Sequence, residues 1–169
     1  MKKRLIDLFY KKVATIKNKL TSGVDQLDLG FNVAKGYLNL LVCEPYSGGT
    51  SVALEFAEKY CDEMDVIYFD PNQSVLQNRT GGIDLGNLTV CYPNNGGEIL
   101  TLVKELVKVS EIPRFYIIDN VKNLRDGWDL KSDLGVFCSN IRKIDPNCTI
   151  LAIQRASTAR SKFWTNVSF

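Results

Sequence analysis

The sequence predicts an α/β fold in which a mostly parallel β-sheet is flanked by helices, and three observations predict it. Short β-rich runs alternate with segments of helical period along most of the chain. The first long apolar run passes directly into a glycine-rich turn, Cys43-Glu44-Pro45-Tyr46-Ser47-Gly48-Gly49-Thr50. Polar residues gather where later runs end, at Asp70, Asp119 and Gln154, and open parallel sheets bind ligands beyond the carboxyl ends of their strands.

Leu5, Phe9, Val13, Ile16 and Leu20 recur at helical spacing among lysines, which predicts a basic amphipathic N-terminal helix over residues 3–20. Residues 1–20 are read as that helix and residues 21–169 as one core domain, with Thr21-Ser22-Gly23 as the break between them. The helix either packs on its own domain with its lysines in water or serves as a docking arm for a protein, a nucleic acid or an acidic membrane surface.

In the core, Tyr37 to Cys43 reads as the first strand and Thr50 to Glu63 as a helix, with Val52, Ala53, Phe56, Ala57 and Tyr60 on its apolar face. Strands follow at Val66 to Asp70, Asn87 to Tyr92, Arg114 to Asp119 and Cys148 to Gln154. Helices are predicted over Glu98 to Val109 and Leu134 to Ile144. Phe163, Thr165, Val167 and Phe169 alternate with polar or aromatic neighbours, which predicts a terminal strand.

Composition narrows the chemistry. The 169 residues are 45% hydrophobic and 24% charged, enough for one closed core. The net charge of +2 is no footprint for nucleic acid over the whole surface, but Lys2, Lys3, Arg4, Lys11, Lys12, Lys17 and Lys19 face only Asp7 in the first 20 residues. With no histidine in the chain, triads of the serine-protease type are excluded. Five cysteines without a C-x-x-C pair read as small buried hydrophobes and not as a zinc site. No apolar run is long enough to span a membrane and no secretory leader is evident, so the expected location is the cytoplasm, or a host's cytoplasm if the gene is carried by a phage.

The glycine-rich turn stands where a phosphate-binding loop, G-x-x-x-x-G-K-[ST], would lie. Ser47, Gly48, Gly49 and Thr50 can still aim backbone N–H groups and a helix N-terminus at an anion. Thr50 occupies the place of a Mg²⁺-ligating hydroxyl, and Asp119 that of the carboxylate that would hold the same ion. Yet the first glycine position holds Cys43 and the lysine position holds Gly49. Losing that lysine removes roughly 3 to 5 kcal/mol of phosphate stabilisation unless another cation such as Arg155 or Lys162 replaces it. The plain alternative is a tight turn that only joins strand to helix.

Taken in order, the segments resemble the ATPase core of the RecA/UvsX recombinase family, truncated at both ends. Thr21 to Gly30 resembles the family's leading segment, and Gly36 introduces the strand before the loop. The family's loop reads G-P-E-S-S-G-K-T, of which Ser47, Gly48 and Thr50 remain. Ile83 to Leu88 with Tyr92-Pro93 and Gly97-Glu98 resembles its most specific block. Phe115 to Asp119 fits its Walker B strand, Ile150 to Arg155 the strand ending in its coupling glutamine, here Gln154, and Phe163 to Phe169 the strand after its second DNA-binding loop.

The resemblance implies a RecA-like P-loop NTPase core, with DNA-contacting loops near Leu124 to Ser132 and Ala156 to Lys162. Arg155, Arg160 and Lys162, beside Phe163 and Trp164, are then the DNA-binding candidates. Where the family places its water-activating glutamate this chain has Asn72, whose amide cannot take a proton. Lysine and glutamate are thus both missing. The expectation is a pseudo-ATPase without catalytic residues, holding no cofactor or at most weakly bound ATP and Mg²⁺. It would work in recombination or replication through a protein partner or through self-assembly by the N-terminal helix, without a membrane. The alternatives are an ATP-dependent single-stranded-DNA-binding protein that borrows its cation, and a viral structural protein that uses the fold for packing.

Overall fold

The computed structural model describes residues 19–25, 28, 31–44, 46–73, 88–124 and 133–155. The described elements run β1 (Lys19–Leu20), β2 (Val33–Ala34), β3 (Leu38–Cys43), α1 (Gly49–Tyr60), β4 (Asp65–Phe69), β5 (Leu88–Cys91), α2 (Gly96–Val109), β6 (Arg114–Asp119), a 3₁₀ turn (Val121–Asn123), α3 (Asp133–Ile144) and β7 (Thr149–Arg155). Five strands form one parallel sheet in the order β3-β7-β6-β4-β5, and β1 and β2 form a separate antiparallel pair.

Central strand β6 is buried at all six positions, as a parallel strand covered on both faces requires. Its alternation divides the interior. Phe115 and Ile117 join Val66, Tyr68, Leu151 and Ile153 beneath α1, which contributes Ala53, Phe56, Ala57 and Tyr60. Tyr116 and Ile118 face the other way with Ile67, Phe69, Ile150 and Ala152, against Ile99 and Val103 of α2 and Phe137, Cys138 and Ile141 of α3. The apolar spacing that suggested each helix is therefore the stripe that packs on the sheet.

Helix ends explain the small boundary differences. Asn95 caps α2 by accepting from the Glu98 N–H at 2.9 Å, while the Glu98 carboxylate accepts from the Asn94 N–H at 2.8 Å, so the helix begins at Gly96 and not at Glu98. α1 begins at Gly49 and ends at Tyr60, and Cys61 to Glu63, expected as helix, form a turn.

One expectation is corrected. Lys19 and Leu20, assigned by periodicity to the N-terminal helix, pair with Ala34 and Val33 in an extended ladder. Leu20 is buried there, and a non-local partner outweighs local spacing. The rest of that helix, residues 1–18, and the terminal strand over 163–169 lie outside the described residues.

The chain is tied to the core just after β1. Asp28 accepts from the Ser22 N–H at 2.7 Å, the Ser22 hydroxyl at 2.8 Å and the Gly23 N–H at 3.1 Å. The Tyr60 hydroxyl accepts from the Thr21 N–H at 2.8 Å, and Lys59 donates to the Thr21 hydroxyl at 2.8 Å. Wholly buried Asn39 closes the β2–β3 turn: its amide oxygen accepts from the Ala34 N–H at 2.7 Å, and its NH₂ group lies 3.1 Å from each of the Ala34, Tyr37 and Ile150 carbonyls. No described helix is long and apolar enough to cross a membrane.

Candidate functional site

Parallel register brings three strand ends to one rim of the sheet. Cys43 pairs with Arg155, and Asp119 with Ile153, so the ends of β3, β7 and β6 stand side by side. From Cys43 the chain turns back into α1. The Ser47 N–H and hydroxyl reach the Glu44 carbonyl at 3.2 and 2.7 Å, and Gly48, at φ 90°, aims the chain into the helix in a conformation that favours glycine. No side chain caps α1, so its first N–H groups face the space above the rim.

That space is a cavity of about 350 Å³, lined among others by Glu44, Tyr46, Gly48, Thr50, Asp119 and Arg155. The structure thus brings together Gly48, Gly49, Thr50 and Asp119 of the sequence-derived set. Ser47 lies in the turn, bonded to Glu44. Arg155, proposed from sequence for DNA, stands in the wall of this cavity. Gln154 sits one step back along β7, opposite Val42. Arg160 and Lys162 are outside the described residues, as is nearly all of the loop expected over Leu124 to Ser132.

Position 49, a glycine, offers no cation to a Mg²⁺-triphosphate. A Cβ built on Gly49 would stand 2.5 Å from the Cys43 sulfur and 3.5 Å from its Cβ. Any side chain at position 49, a lysine above all, has to enter space that the thiol fills. Cys43 and Gly49 therefore fit one another, the thiol lying where a side chain at 49 would begin. Burial pushes the Cys43 thiol above its ordinary pKa and Asp119 adds to the rise, while a hydrogen bond with Ser47 and the charge of Arg155 pull the other way.

The carboxylate has one partner among the described residues. Asp119, 1% exposed, accepts from the Tyr68 hydroxyl at 2.9 Å. Tyr68 lies on neighbouring β4, and sequence reasoning missed it because only the β4–β6 register brings the two together. Beyond β4, Asp70 is buried and Asn72 is exposed, so the carbonyl-bearing amide and not the acid faces solvent. Glu44 adds negative charge to the cavity wall, which further disfavours a triphosphate.

No protein-family model matches the chain, and no curated protein matches it. Among solved structures it is similar to one described as the crystal structure of the RadB recombinase, with a TM-score of 0.59 and 20% sequence identity, over 85% of this chain and 74% of that one. The fold is accordingly a RecA-like core: a five-stranded parallel sheet flanked by helices.

Proposed function

We propose that this RecA-like core is a non-hydrolysing binding subunit that works in DNA recombination or replication, in the cytoplasm, through contacts with other proteins. The observation that carries the reading is the interlock of Cys43 with Gly49, whose missing side chain would meet the thiol at 2.5 Å. A side chain restored at position 49 would require the Cys43 thiol to swing aside. The likeness to a recombinase structure supports the choice of process, and the lysine-rich first 20 residues supply a segment for docking or self-assembly.

The test is thermal. MgATP at millimolar concentration is expected to leave the melting temperature of the wild-type chain unchanged, because binding to the folded state alone would raise it. Gly49→Lys alone should destabilise without conferring a response, while Cys43→Gly combined with Gly49→Lys should begin to respond to MgATP. A clear rise in the wild type, abolished by Thr50→Ala or Asp119→Ala and accompanied by release of phosphate from ATP, refutes the proposal and favours the second reading, an ATP-dependent single-stranded-DNA binder that takes its cation from Arg155. The placement of Arg155 in the cavity wall is what favours that alternative.

A further inference from the structure

We infer that the outward face of α1 is the docking site of the chain's own basic N-terminal segment, residues 1–18. The docking goes beyond the binding-subunit reading and does not depend on what the loop holds.

The buried stripe of α1 is Ala53, Phe56, Ala57 and Tyr60. Away from it Glu55 and Glu58 are exposed, and so are Asp62 and Glu63 in the turn just past the helix. Glu55, Glu58 and Asp62 follow at helical spacing and stand in one row. None of these acids forms an ion pair among the described residues. Like charges at this spacing repel, and Glu58, Asp62 and Glu63 crowd the helix C-terminus, where the backbone dipole favours cations. The other two described helices follow that preference, with Lys108 in the last turn of α2 and Arg142 and Lys143 in the last turn of α3. In α1 the last turn holds Lys59 alone, and its ammonium already donates to the Thr21 hydroxyl at 2.8 Å.

The place where the chain enters the core points to what meets this row. The Thr21 N–H donates to the Tyr60 hydroxyl at 2.8 Å, so the polypeptide joins the core at the acidic end of α1. Upstream of that tie, Lys2, Lys3, Arg4, Lys11, Lys12 and Lys17 stand against Asp7 alone. As a helix, residues 1–18 would span about 27 Å and α1 about 18 Å, so the segment is long enough to run along the whole row. A single exposed ion pair contributes little. A segment tethered beside its site meets it at an effective concentration on the order of millimolar, and here both signs of charge recur along the contact. A second copy has to compete with that tether. An arm stored in this way is released by salt, or by a partner whose negative charge is denser than that of α1.

The experiment is zero-length carbodiimide coupling, which joins a lysine amine to a carboxylate in contact with it. It is run on the full chain at low salt, as an equal mixture of unlabelled and isotopically heavy protein, and read by mass spectrometry. Amides are expected between the lysines of residues 1–18 and Glu55, Glu58, Asp62 or Glu63, within chains of one isotope. They should fall about tenfold at about 1 M salt, where the screening length is about 3 Å. Trypsin cleavage after Lys11, Lys12 and Lys17 tracks the released fraction of the segment. At low salt it should rise about tenfold when Glu55→Gln, Glu58→Gln and Asp62→Asn are combined, towards the rate of a free peptide copying residues 1–18. The melting temperature of that variant should not fall, because all three positions are exposed. Amides formed mainly with other acids, or a cleavage rate indifferent to both salt and the combined variant, overturn the inference. Amides mainly between light and heavy chains would assign the face to a second copy and overturn it equally. A wild-type response to MgATP would defeat the non-hydrolysing reading without touching this result, and a freely cleaved segment beside an inert loop would defeat only the docking.

Discussion

At the scale of single residues, the contact between Cys43 and the absent side chain of Gly49 makes a stability prediction as well as a functional one. Gly49→Ala places a methyl group 2.5 Å from the sulfur and should cost about 1 to 3 kcal/mol, the usual penalty for overfilling a packed site. Combining it with Cys43→Ala should recover most of that loss, so denaturant melts of the two single variants and the double will not add. Additive values would show that the contact is soft. Asp28 makes a second residue-scale prediction. Burial by itself would raise its carboxyl, but the Ser22 and Gly23 donors and nearby Lys59 outweigh this and hold it below the usual value of 3.8. With the folded pKa depressed, the unfolded state binds protons first as pH falls, so the clasp's contribution is present above about pH 4 and lost below it. Urea melts of Asp28→Asn should therefore differ from wild type at pH 6 and approach it as the pH falls progressively below 3.8. The identities at 43, 49 and 72 were readable directly from the sequence. That the first two interlock was not, because a motif records which residue stands at each position and not whose atoms fill the space.

At the scale of elements, the far end of β6 holds a buried polar network that apolar patterning could not foresee. Arg114, 3% exposed, pairs with Asp145 at 3.3 Å and donates to the Leu106 and Ser110 carbonyls, which fixes the end of α2 and the turn after α3 against one strand. Burial raises the Tyr116 hydroxyl above its ordinary pKa, and its hydrogen bond to Asp145 adds to the rise. Arg114→Met leaves the Asp145 charge buried and should cost about 3 to 5 kcal/mol, whereas Tyr116→Phe removes one hydrogen bond and should cost about 1. Chemical denaturation distinguishes these outcomes, and equal effects would mean the ion pair is solvated. The existence of the five core strands and three described helices was legible, because each carries its own period. The β1–β2 pair was not: Lys19 and Leu20 look helical until Ala34 and Val33 lie beside them.

Across the whole molecule, the thiols act together as a probe of folding. None of the five is in a disulfide; Cys61, Cys138 and Cys148 are buried, while Cys43 and Cys91 are half-buried. Burial pushes Cys138 and Cys148 from 9.0 up to about 12. The unfolded chain therefore loses those protons first as pH rises, and stability should fall between about pH 9 and 12. Melting curves over that window should show the decline in wild type and a shallower one in a Cys138→Ala, Cys148→Ala double variant. Identical slopes would place the two thiols in contact with water. Strand order was the least legible property at this scale, since β-β pairing between distant segments leaves no trace in local spacing.

The adjacency of β3 and β7 has a consequence for how the chain comes into being. Leu38 lies beside Ile150 and Cys43 beside Arg155, so the first strand of the sheet to be synthesised must wait for the last of the described ones before its hydrogen bonds close. Sheets joined across such separations fold slowly and leave an unpaired apolar edge in the interval. During translation that edge, Leu-Asn-Leu-Leu-Val-Cys, stays open to pairing with other chains until β7 arrives.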